Sequence, residues 1–275
     1  MYQAYWGLTR SPFRGHLDPG SFYQGATQEE AIARLHFLVD EQRTLGLLLG
    51  SAGSGKSLVL EVFANGLGTI QRQPALLSLV GVDRREFLWR LIREFGIEST
   101  ASAGAFPLCR TLEDHLLANR HQQITTVLLL DDADDAHCDV LEEIARLVHF
   151  NHSRKAGLTI VLAGRTRRLG RLGEKLLELA ELRIDLECWD LDDTAAFLKQ
   201  SLSRAGRSTP IFGESAVRRL HELSGGVPRR ITQMADLALL GGAGSNLSQI
   251  EADMIELVYD ELGVVATAPQ AESTP

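Results

Sequence analysis

The sequence has few cysteines and no long uncharged hydrophobic run, and both absences restrict what the protein can be. Its three cysteines, Cys109, Cys138 and Cys188, are widely separated and lack Cys-x-x-Cys spacing, so neither a disulfide framework nor a cysteine zinc site is expected. No apolar stretch approaches the length of about 18 residues that indicates a membrane-spanning helix. Residues 1–6 lack the basic and apolar regions of a secretory signal. We expect no membrane span and a cytoplasmic location.

Basic residues are also fewer than acidic ones. The 275 residues include 28 Lys and Arg against 36 Asp and Glu, which gives a formal net charge of −8. That balance does not suit a protein whose whole surface coats nucleic acid, although it leaves room for one basic patch. Hydrophobic residues make up 44% of the chain, enough for a packed core. The length suits one α/β domain with a small additional unit.

Short apolar runs alternate with helical patterns in the first two thirds of the chain. The runs predict buried strands at residues 45–49, 75–80, 127–130, 158–163 and 182–186. The helices predicted among them are 56–67, 83–95 and 139–150. The small and polar residues 98–108 predict a loop or a variable insertion. This alternation indicates an α/β fold, with a parallel sheet covered by helices on both faces.

The strand pattern stops after Trp189. Helical periodicity continues over residues 192–205, 213–224, 228–240 and 248–261. Ser248-Gln249-Ile250-Glu251 fits a capping box for the last of these helices. The sequence therefore predicts four parts: an N-terminal segment leading into the core (1–44), an α/β core (45–188), a small all-α lid (189–262) and a flexible C-terminal tail (263–275).

The turn between the first predicted strand and helix has a phosphate-binding pattern. It consists of Gly50-Ser51-Ala52-Gly53-Ser54-Gly55-Lys56-Ser57, a complete Walker A sequence. Its glycines let backbone N–H groups turn around a phosphate, and the helix N-terminus adds its own positive end. We expect Lys56 to neutralise the β- and γ-phosphates and Ser57 to bind Mg²⁺. The predicted ligand of residues 50–58, Leu58 included, is ATP with Mg²⁺; a glycine-rich turn without a ligand is the alternative.

Two carboxylates follow a second buried strand. Asp131 and Asp132 come directly after Val127–Leu130, as in a Walker B motif, and ligands of open α/β sheets bind at this edge. Asp131 is the predicted metal-side carboxylate, and Asp132 is the predicted base that orients the attacking water. Acidic residues that cap the next helix are the alternative, which fits Asp134 and Asp135 better. A longer Glu is usual at the position of Asp132, so we expect slow hydrolysis.

The order of motifs resembles a known family. Tyr5-Trp6-Gly7-Leu8, Ser11-Pro12-Phe13, Asp18-Pro19, Phe22-Tyr23, Glu30-Ala31 and Leu35 precede the phosphate loop as in ExeA-type proteins. These are AAA+ ATPases named general secretion pathway protein A, related to ATPases of pilus biogenesis and to the TniB, TnsC and MuB transposition helpers. The resemblance covers about residues 1–262. It implies a P-loop AAA+ core with a helical lid and ATP-dependent self-association, as a ring or filament with active sites between neighbouring subunits.

The resemblance also implies roles for two arginines. Gly226-Val227-Pro228-Arg229 is similar to the lid motif that brings a sensor arginine to the γ-phosphate, with Arg230 the second choice. Arg183 matches the position of an arginine finger that acts on a neighbour's ATP. A solvated surface arginine is the alternative interpretation of each.

Two features depart from the family pattern or stand outside it. In the family, the fourth strand ends in a polar residue called sensor 1. Here the fourth predicted strand is followed by Gly164, Arg165 and Thr166. Arg165 and Thr166 are therefore the candidates for sensor 1. A basic cluster then spans residues 165–175. It suits either phosphate contacts along an oligomer channel or, as the net charge favours, a solvated segment facing an acidic neighbour. The cluster contains no aromatic residue that would stack on bases.

These observations support three functional hypotheses. The first is an ATP-hydrolysing AAA+ protein that assembles with itself and remodels or recruits an unidentified protein partner, as in secretion or pilus assembly. The second is a DNA-binding regulator of the transposition-helper type, which would make nucleic acid the partner. The third, a small-molecule kinase, fits the helical lid and the paired aspartates least well.

Overall fold

The structure is a computed structural model that describes residues 2–13, 19–68, 71–98, 100, 103–155 and 157–263. The chain forms two compact units. The sheet unit is Gln24–Glu187, and the helical unit combines Met1–Tyr23 with Cys188–Pro275. The predicted C-terminal tail, beyond its first residue, lies outside the described residues, as does Asp18 of the family-like N-terminal motifs. No helix among the described residues is long and apolar enough to cross a membrane.

Strands and helices alternate along the chain as the sequence predicts. The strands are β1 (Leu45–Gly50), β2 (Arg72–Ser78), β3 (Thr125–Asp131), β4 (Leu158–Arg165) and β5 (Leu182–Leu186). The α-helices are α1 (Tyr2–Trp6), α2 (Ala26–Asp40), α3 (Lys56–Gly66), α4 (Arg84–Glu94), α5 (Ala105–His121), α6 (Cys138–Arg154), α7 (Glu174–Leu179), α8 (Leu191–Arg204), α9 (Glu214–Ser224), α10 (Pro228–Gly244) and α11 (Ala252–Gly263). Short 3₁₀ helices lie at Pro19–Ser21, Ala133–Asp135 and Thr166–Leu172.

The sheet unit is built on five parallel strands in the order β2-β3-β4-β1-β5. The strands β1 and β3 are buried almost throughout, because helices cover both faces of the sheet, and their sequences are correspondingly apolar. All five carboxyl ends lie at one edge, which we call the carboxyl edge. This arrangement confirms the predicted α/β class and brings the segments after β1, β3 and β4 to the same side of the molecule.

Local signals explain where several elements begin and end. Asp83 caps α4 by accepting a hydrogen bond from the Glu86 backbone N–H, and Gly96 takes a positive φ of 74° just after the helix. Gly46 of β1 has no side chain because a Cβ there would come within 2.3 Å of Leu38 in α2. The missing Cβ lets α2 pack closely on the sheet.

Two sequence predictions fail in detail. The predicted loop 98–108 is too long, because α5 already begins at Ala105 and places Leu108, Leu112 and Leu116 in the core. Pro107 is tolerated there since the first turn of a helix does not need its N–H. The predicted capping box at 248–251 is also wrong. The last helix begins at Ala252, and the Ser215 hydroxyl accepts the hydrogen bond of the Ala252 N–H.

The helical unit combines the start of the chain with its last four helices. Trp6 of α1 is 2% exposed, and its indole Nε1 donates to the Leu239 carbonyl of α10 at 2.8 Å. The N-terminal segment, expected as one piece over residues 1–44, thus divides after Tyr23. Its first part shares the apolar core of the helical unit, whereas α2 belongs to the sheet unit.

Candidate nucleotide-binding site

The turn after β1 has the close packing that its glycines allow. A Cβ on Gly50 would lie 2.6 Å from the Ser54 hydroxyl oxygen and 2.7 Å from the Leu186 carbonyl oxygen, so no larger residue fits. Gly53 and Gly55 adopt φ of 84° and 99°, a region that L side chains rarely enter. Ser54 is buried, whereas Ser51 and Ala52 are exposed at the tip of the turn.

Lys56 begins α3 and is folded back over the turn. Its Nζ donates to the carbonyl oxygens of Gly50 and Ser51 at 3.2 and 2.8 Å. Burial lowers the pKa of Lys56, against the opposing attraction of Asp131, Asp134 and Asp132. The Lys56 ammonium is partly removed from water and bound to two neutral carbonyl oxygens. Anionic oxygens of a ligand would bind it more strongly and replace those carbonyls.

The helix N-terminus supplies further donors. The hydrogen-bond ladder of α3 starts with the Val59 N–H, which donates to the Gly55 carbonyl at 2.9 Å. The N–H groups of Lys56, Ser57 and Leu58 precede that bond, so the helix itself offers them no carbonyl one turn back. Together with the glycine turn, they form a concave set of donors suited to a phosphate.

Asp131 at the end of β3 faces Ser57. Burial raises the pKa of Asp131, since the side chain is only 8% exposed, and the neighbouring Ser57 side chain opposes this shift. Asp131 also accepts from the Asp132 N–H at 2.8 Å. The structure therefore places the predicted metal-side residues, Ser57 and Asp131, next to each other.

Asp132 follows in a left-handed conformation, with φ 54° and ψ 36°. Its carboxylate accepts a hydrogen bond of 3.0 Å from the Ser78 hydroxyl at the end of β2. Ser78 pairs in register with Asp131, which explains the contact. Ser78 was not predicted as a site residue, because it lies inside the predicted strand 75–80, whereas the observed strand β2 ends at Ser78.

Arg165, one of the two sensor 1 candidates, is engaged by two aspartates. Its Nε donates to Asp134 at 2.5 Å, its backbone N–H donates to the same carboxylate at 3.1 Å, and its guanidinium also pairs with Asp135. Asp134 is 2% exposed, so Arg165 neutralises a buried charge. Thr166, the other candidate, is exposed. The sequence suggested that Asp134 and Asp135 cap a helix. Their carboxylates instead bind Arg165 at the end of β4.

The two arginines expected to act on the γ-phosphate lie in different units. Arg183 is exposed on β5, and its guanidinium forms a forked pair with Asp185 of the same strand, with Nε to Oδ2 at 2.9 Å and Nη2 to Oδ1 at 2.8 Å. Arg229 is exposed in the first turn of α10 in the helical unit. Their predicted roles stay predictions.

Comparison with known proteins agrees with this geometry. Residues 39–172 match the family model described as "AAA domain". The matched segment contains the phosphate loop, the end of β3 and Arg165. Residues 39–172 are therefore similar to AAA domains.

The chain has a curated relative that matches beyond the AAA domain itself. It is 29% identical over 269 residues to general secretion pathway protein A of Aeromonas hydrophila. The match covers 96% of this chain and 49% of the relative, so the chain spans about half the length of the relative it matches. This similarity confirms the resemblance given by the sequence motifs.

Solved structures with the same fold include three AAA+ proteins. The ORC1 protein of Aeropyrum pernix, solved in complex with DNA, has a TM-score of 0.69 at 13% identity and covers 94% of this chain and 72% of that one. The ORC2 protein of the same organism, in ADPNP-ADP complexes, has a TM-score of 0.68 at 16% identity, covering 92% and 71%. The RuvB Holliday junction branch migration motor of Thermotoga maritima has a TM-score of 0.58 at 15% identity, covering 86% and 70%. At these identities the likeness concerns the fold alone.

Proposed function

We propose that this protein binds ATP with Mg²⁺ in the turn after β1 and hydrolyses it. The observation that supports this most directly is the grouping of Lys56, Ser57 and Asp131 at the carboxyl edge, next to a glycine turn that no larger residue could form. A partly buried ammonium, a helix N-terminus and a carboxylate beside a hydroxyl are the parts that phosphoryl transfer requires.

Each residue has a separate task in this proposal. The ammonium of Lys56 leaves the Gly50 and Ser51 carbonyls and binds β- and γ-phosphate oxygens, which offsets the cost of its burial. Asp132, fixed by Ser78, orients a water molecule toward the γ-phosphorus and accepts its proton. The transferred phosphoryl group then leaves ADP and joins that water oxygen.

The oxygen ligands at the site fit Mg²⁺. The Ser57 hydroxyl lies beside the Asp131 carboxylate, and Mg²⁺ is usually held by one or two carboxylates together with substrate phosphates. Ser57 and Asp131 are the residues that would hold it. The ion would neutralise charge on the phosphate oxygens.

We further propose that ATP drives self-association and recruitment or remodelling of a protein partner, in a setting such as secretion. The support is the similarity to general secretion pathway protein A along almost the whole chain. A DNA-bound function has less support. Three arginines of the basic cluster, Arg165, Arg168 and Arg171, lie within ion-pair distance of Asp135, which offsets the charge they could offer to phosphates.

Titration calorimetry with ATP and Mg²⁺ tests the binding site. Lys56→Ala removes the ammonium that pairs with the phosphates, so measurable ATP affinity should be lost while the circular dichroism spectrum stays native. Lys175→Ala, an exposed lysine in α7, is the matched control and should bind like the native protein. Equal affinity in native protein and Lys56→Ala would refute the assignment.

A further inference from the structure

Two leucines of the helical unit are exposed on neighbouring helices. Leu240 in α10 is 52% exposed, and Leu257 in α11 is 58% exposed. A single exposed leucine is ordinary on a protein surface, whereas a continuous apolar surface indicates a binding site. The packing of α10 on α11 places these two leucines on one such surface.

The surface follows the seam between α10 and α11. A Cβ on Gly241 would come within 3.0 Å of the Met254 sulfur, so these two residues meet across the seam. Residues three or four positions apart share a helix face, which places Leu237 beside Gly241 and Leu240, and Leu257 beside Met254. Leu237 and Met254 also pack on the apolar core of the helical unit. We call these five residues the α10–α11 strip.

The strip is open and about two helical turns long. The loop 245–251 is short, so α10 and α11 run antiparallel. Gly244 lies one turn after Leu240, and a Cβ there would meet no atom within 4 Å. From Leu237 to Gly244 the helix rises about 10 Å. That length suits two turns of a partner helix, whose apolar side chains recur at every third or fourth position.

Acidic side chains surround the strip on α11. Asp253 lies four residues before Leu257. Asp260 and Glu261 lie three and four residues after it, so all three acids are its neighbours on the helix surface. They are exposed and have no ion pair within the described part of the chain, whereas Glu256 binds an arginine of α9 at 2.9 Å. Apolar side chains bordered by such carboxylates suit a surface that is apolar at its centre and basic at its rim.

We infer that the α10–α11 strip binds a basic amphipathic helix of a partner protein. The apolar face of that helix would cover Leu240 and Leu257, and its Lys and Arg side chains would pair with the acids around Leu257. A second copy of this chain fits less well, because its own strip would bring the same acids against these. The inference rests on the proposed recruitment of a protein partner and adds the surface and the chemistry of that contact.

Fluorescence anisotropy with two labelled synthetic helices tests the inference. Both peptides carry the same leucine face, and their other positions are lysine in one and glutamate in the other. The lysine peptide should bind native protein, and the glutamate peptide should not. Leu257→Ser should weaken binding of the lysine peptide about tenfold, the scale of one buried leucine side chain. Phe37→Ser, which removes an exposed aromatic side chain of the sheet unit, is the matched control and should bind like native protein.

Further variants separate the strip from charge and from folding. Leu240→Ser should show the same loss as Leu257→Ser, and both should melt like native protein because each side chain is more than half exposed. Asp260→Asn should weaken the lysine peptide about threefold and make its binding less sensitive to salt. Asp114→Asn changes the net charge equally, at an exposed position of α5, and should leave binding unchanged.

The outcomes distinguish this inference from the nucleotide site. Equal binding of the two peptides, or native affinity for the lysine peptide in both Leu240→Ser and Leu257→Ser, would overturn the strip as a docking surface. A dimer in native protein that Leu257→Ser makes monomeric would show a second copy to be the occupant instead. Calorimetry on the same samples should give native ATP affinity in Leu257→Ser. Native protein that binds the lysine peptide but no ATP would contradict the nucleotide site alone.

Discussion

Asp132 is held in a backbone conformation that few residues adopt. Its φ of 54° lies in the left-handed region, which only Gly and, less often, Asn and Asp enter at low cost. The hydrogen bond from Ser78 then fixes the carboxylate. The conformation therefore favours Asp over the longer Glu at this position. It also affects whether the shorter side chain of Asp132 reaches the attacking water, because a shift of the backbone can compensate for the missing methylene.

Substituting Asp132 measures its role in hydrolysis. Asp132→Asn keeps the left-handed conformation but cannot accept a proton, so turnover should fall by about 100-fold or more with ATP affinity preserved. Asp132→Glu should raise turnover if reach limits the native protein, and lower it if the backbone already compensates. A steady-state ATPase assay with parallel calorimetry distinguishes these results. Asp114→Asn, an exposed aspartate of α5, serves as the control.

Native turnover in Asp132→Asn would show that another residue orients the water. Asp134 is then a poor substitute, because Arg165 already binds its carboxylate from both the side chain and the backbone. Ser78→Ala should lower turnover without changing ATP affinity, since it frees Asp132 from one of its restraints.

The residues that the sequence could locate are those whose chemistry follows directly from a local pattern. Lys56, Ser57 and Asp131 each follow a buried strand, and parallel strands bring such positions to one edge. The contacts of Ser78 and Asp134 could not be found in this way. They depend on strand register and on the path of the 3₁₀ turn after β3, neither of which a single sequence displays.

The same distinction holds for helices and strands: an end fixed by neighbouring residues can be predicted, whereas an end fixed by a distant residue cannot. The strands and the capped helix α4 are confirmed because their signals lie within a few residues, although β2 spans Arg72–Ser78 where residues 75–80 were predicted. The helix α5 was missed at its start, since Pro107 and the small residues before it resemble a loop. The start of α11 depends on Ser215, a residue 37 positions away that no local pattern connects to it.

The ion pair between Arg165 and Asp134 joins two elements of the carboxyl edge. It connects the 3₁₀ turn Ala133–Asp135 to the end of β4, and the approach is close enough that a Cβ on Gly164 would lie 3.1 Å from the Asp134 Oδ1. Arg165→Ala leaves that buried carboxylate without its cation, so the free energy of unfolding should fall by about 3 kcal/mol. Urea denaturation monitored by circular dichroism measures the change.

An exposed pair nearby provides the comparison for this prediction. Arg168 binds Asp135 at 2.7 Å with both side chains partly exposed, so Arg168→Ala should cost less than about 1 kcal/mol. A loss in Arg165→Ala no larger than in Arg168→Ala would mean that the Arg165 backbone N–H alone satisfies Asp134.

At the scale of the whole molecule, the proposal of self-association has a direct test. Light scattering with a slowly hydrolysed ATP analogue should show a higher mass than the nucleotide-free protein, because each site would be completed by a neighbour. A constant monomer mass at saturating analogue would contradict the proposal. Arg183 pairs with Asp185 in its own chain, and a finger role requires it to leave that partner.

Arg183→Ala should then lower ATP turnover more than ATP affinity, since a finger acts on charge that develops in the transition state. Asp185→Ala offers a matched variant. It frees the guanidinium without removing it, so turnover should stay the same or rise. Equal losses of turnover in both variants would indicate that the Arg183–Asp185 pair stabilises the edge strand instead.

The burial of Trp6 against α10 has a consequence for synthesis on the ribosome. The sheet unit is one continuous segment and can fold as it emerges, whereas Trp6 cannot reach its final partner until Leu239 is made, about 230 residues later in the chain. At translation speeds of roughly 5–20 residues per second the delay is about 10 to 50 s. During that time an indole and its apolar neighbours are without their final partners. The newly made chain is therefore expected to need shielding, for instance by a chaperone, over that interval.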